Sequence, residues 1–417
     1  MLTVLRFLLF LTQFNSVYGY NEIFVENMSL DIILTCMVFT ISIITTIGGV
    51  GGGGLLIPTY LLVGKFKLEQ AIPLSVITIF GDTLLRCYYL FYKKHPLNSN
   101  RYLVDLIPLL ILVPFDANTS FIGLILSQTF PNIITIILIV LVLGATFIKS
   151  TKKALTTYLN ENKYIEDQNQ LELVMIDGIG EYFPKKDIEL DNVVNLTGDT
   201  FKNHNLKALY LFLVIIAVSI FSVTRTLISK CSLFYFIHIF IQFIVMSFIG
   251  IKLGKYIIDE YEKRKSENFA FLQGDIVWDF YNIIKFVGIA SITGFLSTYM
   301  GIGGGMLTTP IMIQVGMIPE VVVATSAVST LFSSMITSIN YAVEGKLILS
   351  YGLWFAFISA TGSYFGLLMS DMILKMFKRQ SIIIFFVSLI LFTSIILLTY
   401  ESITSYQGDI SLIDYCT

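Results

Sequence analysis

Two glycine clusters have the spacing with the most direct chemical consequence in this sequence. Residues 48–64 read GGVGGGGLLIPTYLLVG and residues 300–316 read MGIGGGMLTTPIMIQVG. At a constant offset of 252, Gly49, Gly51, Gly52 and Gly53 match Gly301, Gly303, Gly304 and Gly305, and Pro58 matches Pro310. Glycine costs about 1 kcal/mol against alanine inside a helix, so four near-consecutive glycines should break one. In lipid a broken backbone is tolerated only where protein or a wet cavity covers the freed polar groups. The half-helix that restarts after each break presents bare N–H groups and the positive end of its dipole, a setting that favours an anion. The competing reading is that glycines simply let helices pack closely. It suits Gly250/Gly254 and Gly362/Gly366 better than two clusters that share a proline. A dinucleotide fingerprint, Gly49-x-Gly51-x-x-Gly54, lacks the strand–helix–strand unit it requires.

Hydroxyls and charges follow the glycines. With one residue deleted from the intervening loop, Ser75 and Thr78 align with Ser326 and Ser329, each pair three apart and therefore on one helical face. Such hydroxyls offer an oxyanion neutral donors without the cost of burying a cation. They can equally bond back to a carbonyl one turn earlier. Asp82 and Arg86 stand four apart inside an apolar segment, acid first. One reading makes Arg86 an anion attractant and Asp82 a proton carrier; the other makes them a self-neutralising structural pair. The second copy has Ser333 where the first has Asp82. Asp116 and Asn118 lie in LVPFDANTS, where Pro114 is expected to loosen the helix and turn Asp116 toward water. Arg225, near a segment end, is expected to snorkel. The three histidines (His95, His204, His238) are far apart and the four cysteines (Cys36, Cys87, Cys231, Cys416) form no CxxC pair, so neither a metal site nor a cofactor is expected. No GxxxxGK[ST] loop occurs, so transport would draw on gradients. An intramembrane enzyme would need an acid–base constellation matched between the copies, and none is visible, so no catalysis is expected.

The elements that position these residues are membrane segments. The 417 residues are 55% hydrophobic, 14% aromatic and 13% charged, with mean hydropathy +0.79. Soluble proteins are roughly 45–50% apolar and about 25% charged. That balance, with a net charge of −2, excludes a disordered chain, a nucleic-acid binder and an ordinary soluble enzyme. At around 20 apolar residues per crossing, ten segments stand out: 31–63, 70–92, 103–129, 132–149, 207–228, 232–257, 283–315, 320–342, 347–371 and 380–399. The expected class is all-α, a polytopic membrane protein built from two homologous four-segment repeats with glycine-broken helices and an inserted helix pair. Residues 1–19 read as a signal peptide, 20–149 as the first repeat and 150–206 as a hydrophilic loop. Residues 207–257 are the inserted pair, 258–282 a charged stretch expected as a helix extension, 283–400 the second repeat and 401–417 a polar tail. The sequon Asn27-Met28-Ser29 fits a lumenal or extracellular start, with plasma membrane and endomembranes both open. If all ten segments cross, the better orientation puts 13 Lys and Arg inside against 6 outside, but places the mature start inside, against a signal peptide. If each broken segment returns to its own side, the ratio becomes 15 to 4 and the start lies outside.

The two GxGGGxLxxP-type elements, each followed by a hydroxyl-bearing apolar helix (Pro73-Leu74-Ser75 and Ala324-Thr325-Ser326), resemble the sulfite exporter TauE/SafE family. The resemblance covers both four-segment units. The signal-like start, the loop and the inserted pair depart from its shorter bacterial members. It implies a transporter for sulfite, sulfonates or related small organic anions, with the bilayer as its surroundings and no nucleic-acid partner. The residues expected to meet the anion are Gly49, Gly51, Gly52, Gly53, Pro58, Ser75, Thr78, Gly301, Gly303, Gly304, Gly305, Pro310, Thr325, Ser326 and Ser329, with Asp82 and Arg86 as a coupling or charge pair. The alternative is a membrane scaffold or receptor that acts through 150–206 and transports nothing.

Overall fold

The computed structural model describes residues 28–49, 51–176, 201–229, 232–267, 271–272, 274–377 and 381–404. The expected signal peptide, the sequon's Asn27, the middle of the 150–206 stretch and the tail beyond 404 lie outside them. Helices dominate: α1 (Met28–Gly48), α2 (Gly53–Leu62), α3 (Leu68–Phe91), α4 (Ile107–Thr129), α5 (Asn132–Ile176), α6 (Phe201–Thr226), α7 (Leu233–Ser266), α8 (Phe280–Met300), α9 (Gly305–Val315), α10 (Pro319–Val343), α11 (Leu349–Phe377) and α12 (Ser381–Thr404). Ten of these are long and apolar enough to cross a membrane; α2 and α9 are shorter apolar helices. The chain is an all-α polytopic membrane protein. A two-strand hairpin, β1 (Lys94–His95) and β2 (Asn98–Tyr102), is the one sheet among the described residues.

Packing follows the apolar faces and is reciprocal between the halves. Helix α1 lies on α11 as α8 lies on α4, α3 crosses α10, and α5 packs along α12. The α1–α11 contact is a close one: a Cβ on Gly362 would come within 2.7 Å of the Phe39 carbonyl, and one on Gly366 within 2.7 Å of the Ile43 carbonyl. Gly250 lies against the Phe115 ring and Gly254 against Ile283. Both spaced pairs thus serve helix packing. Helices α6 and α7 sit at the side, on α4 and α10, and α7 leaves Phe236, Phe240, Ile244, Phe248 and Ile251 exposed where lipid would meet them.

Side-chain contacts order the two ends of the bundle. At the upper end, where α1 begins, the Tyr351 hydroxyl donates to the Asp31 carboxylate at 3.3 Å, and the Tyr351 ring meets Phe66, just past α2, at 5.3 Å. Start and finish of the first broken segment therefore share one end. At the lower end, marked by the hairpin, Gly274 ahead of α8 abuts Ile318, just past α9. The second broken segment also returns to its own end. Lys93 at the end of α3 pairs with Asp371 of α11 at 2.6 Å on that lower end.

One expectation about elements changes and another holds. Residues 150–176 continue α5 as helix rather than loop. The stretch from Ala145 to Ile176 contains neither glycine nor proline and is rich in Lys, Glu, Leu and Gln, so nothing in it stops a helix. The charged extension expected after 257 is present as the last turns of α7.

Candidate functional site

The site is assembled where the two glycine clusters meet. Helix α1 ends at Gly48 and α8 at Met300, and the residues that follow, Gly49 (φ +68°) and Gly301 (φ +65°), turn the chain in the left-handed region that glycine enters without strain. Helix α2 restarts on Gly52, whose carbonyl accepts from Leu55 and Leu56 at 3.0 and 2.9 Å, and α9 restarts on Gly304, whose carbonyl accepts from Leu307 and Thr308 at 3.1 and 2.9 Å. Neither cap has a side chain to cover the first-turn amides, and those of Gly303, Gly304 and Gly305 donate to no described backbone acceptor. The interior prolines, Pro58 in α2 and Pro310 in α9, are buried and remove one amide from each short helix.

The two breaks touch backbone to backbone. A Cβ on Gly53 would overlap the Cα of Ile302 and come within 2.6 Å of the Gly301 carbonyl oxygen. One on Gly305 would overlap the Thr330 hydroxyl and lie 3.2 Å from the Gly51 nitrogen. The absence of side chains at these positions is therefore what lets the halves meet.

Ser75 and Ser326 brace this contact. Ser75 Oγ reaches the Gly301 carbonyl at 2.7 Å and the Ile72 carbonyl of its own helix at 2.8 Å, and Ser326 Oγ reaches the Gly49 carbonyl at 3.0 Å and that of Val323 at 3.2 Å. Each serine thus caps the carbonyl freed by the other half's break. Gly49 O also accepts from Thr309 at 3.1 Å. A hydroxyl has one proton, so in this conformation the two serines hold backbone and offer lone pairs, not free donors. Thr78 bonds back to the Leu74 carbonyl at 2.7 Å and receives the Tyr60 hydroxyl at 2.8 Å. Thr325 accepts the Asp105 amide at 3.0 Å, toward the lower end. Ser329 is buried one turn from Ser326.

Sequence reasoning passed over Thr330, which sits against Gly51, Gly303 and Gly305 together. Its one signal was its place four residues after Ser326, to whose carbonyl it donates at 2.7 Å. Thr309, beside Pro310, and Thr46 were also passed over. Thr46 donates at 3.2 Å to Asp82, whose other oxygen pairs with Arg86 at 3.2 Å. Both members of that pair are buried, Arg86 completely.

Two charged residues differ from expectation. Pro114 leaves α4 unbroken, and Asp116 is buried with its backbone against Gly294 and its carboxylate hydrogen-bonded by Ser333, so it does not face water. Arg225 does not snorkel: it is 1% exposed, 3.8 Å from Glu344, with its guanidinium 3.8 Å over the Phe121 ring. In both cases a neighbouring helix supplies the partner, which a single segment cannot reveal.

The break is linked to the lower end through Asp105. Arg101 of β2 pairs with Asp275 through two contacts of 2.7 and 2.9 Å and approaches Asp105 at 3.9 Å. Burial pushes the Asp105 carboxyl above the usual range while the Arg101 charge pulls it back. Burial, and then Arg101, push His95 below its ordinary value, with Asp275 opposing. Among the described residues no group of three His, Cys, Asp or Glu could hold a metal ion.

Curated relatives match most of the chain. It is 25% identical over 404 residues to the Arabidopsis thaliana protein named Sulfite exporter TauE/SafE family protein 2, covering 91% of this chain and 85% of the relative. Family protein 3 of the same plant is 25% identical over 418 residues, covering 95% and 84%. A Probable membrane transporter protein ORF9 from Sinorhizobium sp is 32% identical over a shorter stretch of 94 residues. No family model and no solved structure matches.

Proposed function

We propose that this chain, a membrane transporter of the sulfite exporter TauE/SafE family, carries a small oxyanion, sulfite or an organic sulfonate or carboxylate, by alternating access. The observation that carries the reading is the meeting of two restarted helices at their glycines, with capless amide ends in the protein interior. Backbone amides at helix starts attract anions without a permanent charge that would trap them. The reciprocal packing of the halves supports alternating access. Two similar units around one centre can rock against each other and expose the same groups to either side.

The glycines expected from the sequence to bind substrate fall into two classes that a flux assay separates. A methyl on Gly53 overlaps backbone of the other half, which has no side chain to swing away. A methyl on Gly52 meets Thr45 and Leu56 at ordinary distances of 3.4 and 3.5 Å. In liposomes with the purified chain and labelled sulfite, Gly53→Ala should lower flux by at least about tenfold, since forced overlap costs about 1–3 kcal/mol. Gly52→Ala should stay near the parent rate. Equal flux in both variants, at equal folding by gel filtration, would take the glycine contact out of the transport path. Absence of flux for every anion would favour a scaffold or receptor.

A further inference from the structure

Arg86 is the most fully enclosed cation of the transmembrane core, and its salt bridge uses only part of it. Its Nη1 meets Asp82 Oδ2 at 3.2 Å, whereas Nε and Nη2, both buried, make no hydrogen bond among the described residues. The side chain is 0% exposed. A guanidinium has five N–H donors in a planar fork, and leaving a charged donor unbonded in a protein interior is costly. Nε and Nη2 form the edge whose two parallel N–H bonds match two oxygens of a carboxylate, sulfonate or sulfite. The same Asp82 accepts from Thr46, in the last turn of α1 before the first break, so the pair is tied to the first glycine-broken segment.

We propose that the Nε–Nη2 edge of Arg86 is an oxyanion-binding fork, held in place by Asp82 on its other side. The proposal rests on the anion-transport reading and adds to it a named recognition group. Backbone amides attract an anion by partial charge alone, whereas the fork selects one that presents two oxygens in a plane. Asp82 neutralises the cation while the fork is empty, so the anion meets directional donors without an uncompensated charge. The second half carries Ser333 and Thr337 at the matching positions. Recognition is therefore one-sided within an otherwise reciprocal core.

The test compares Arg86→Lys and Arg86→Gln in the purified full-length chain. Binding of sulfite and of ethanesulfonate is measured by calorimetry, and half-saturation and maximal rate by liposome flux. Arg86→Lys keeps the charge facing Asp82 but has no fork. It should melt within a few degrees of the parent and bind both anions at least about tenfold more weakly, with the larger change in half-saturation. Should Arg86→Gln fail to fold, Arg86→Lys alone decides. Unchanged affinity in Arg86→Lys would overturn the fork and leave the transport reading standing. Sulfite binding that is lost in Arg86→Lys, from a parent that moves no anion in liposomes, would support the fork and overturn transport. A parent that binds neither anion would overturn both.

Discussion

At the scale of single residues, the serines that looked like substrate donors hold the two glycine breaks together. Their pairing was legible in the sequence, because they recur at matched positions after matched glycines. Their acceptors were not, because Ser75 reaches a carbonyl 226 residues away and Ser326 one 277 residues away. The two are also unequal. Gly49 O keeps Thr309 as a second donor when Ser326 is removed, whereas Ser75 is the side chain that reaches Gly301 O. A buried carbonyl left without its partner costs about 1–3 kcal/mol. Ser75→Ala should therefore destabilise the chain by about 1–2 kcal/mol and Ser326→Ala by distinctly less, read as thermal denaturation in one detergent. The reverse order would contradict the bracing roles.

At the scale of elements, what composition and period could settle was settled: ten apolar segments, two interrupted at glycine, and a charged extension of α7. What needed tertiary partners was not. The unbroken α4 over Pro114 and the buried Arg225 both depend on neighbouring helices, α8 for the first and α4 and the turn after α10 for the second. The β1–β2 hairpin was likewise unannounced, since it occupies only a few residues between two membrane helices. It brings His95 among Arg101 of β2, Asp105 ahead of α4 and Asp275 ahead of α8. The folded chain lowers the His95 pKa from its usual 6.5, so folding favours the neutral ring. That contribution is fully present above the unfolded value and is lost as pH falls through the folded one. Asp105, shifted upward, has the opposite sign, and comparing variants rather than raw profiles isolates the histidine. Lowering the pH from about 7.5 to about 5 should cost the parent more stability than His95→Gln, given a histidine reference near 6.5. Parallel profiles for the two proteins would show that His95 does not titrate against this cluster.

At the scale of the whole molecule, the returning broken segments set the sidedness. Because α1–α2 begin and end at the upper end and α8–α9 at the lower, α3 and α10 cross in opposite senses. Residues 92–106, Asp275 ahead of α8, Asp371 of α11 and the polar turns of α5 at Glu161, which meets Ser381 at the start of α12, then share the lower end. In the re-entrant arrangement the sequence stretches 93–102, 150–206, 258–282 and 372–379 that belong to this side carry 15 of the 19 Lys and Arg between segments, and basic loops stay in the cytoplasm. The upper end should accordingly be lumenal or extracellular. In a chain whose own four cysteines are replaced by serine, single cysteines at Lys67 and Lys346 should react with an impermeant maleimide on sealed right-side-out vesicles. Cysteines at Leu97 and Met317 should react only after the vesicles are opened. The decisive comparison is Lys67 with Leu97: they flank α3 alone, and α3 is a full-length crossing. Reaction of Lys67 from the outside also fixes the first segment, since Asp31 and Phe66 meet on the same tyrosine and cannot be parted by a bilayer. If Met317 instead reacts from the outside along with Lys67, the second broken segment crosses. The two halves would then be related by an axis along the membrane normal, and one helix start could not face the other across a shared centre.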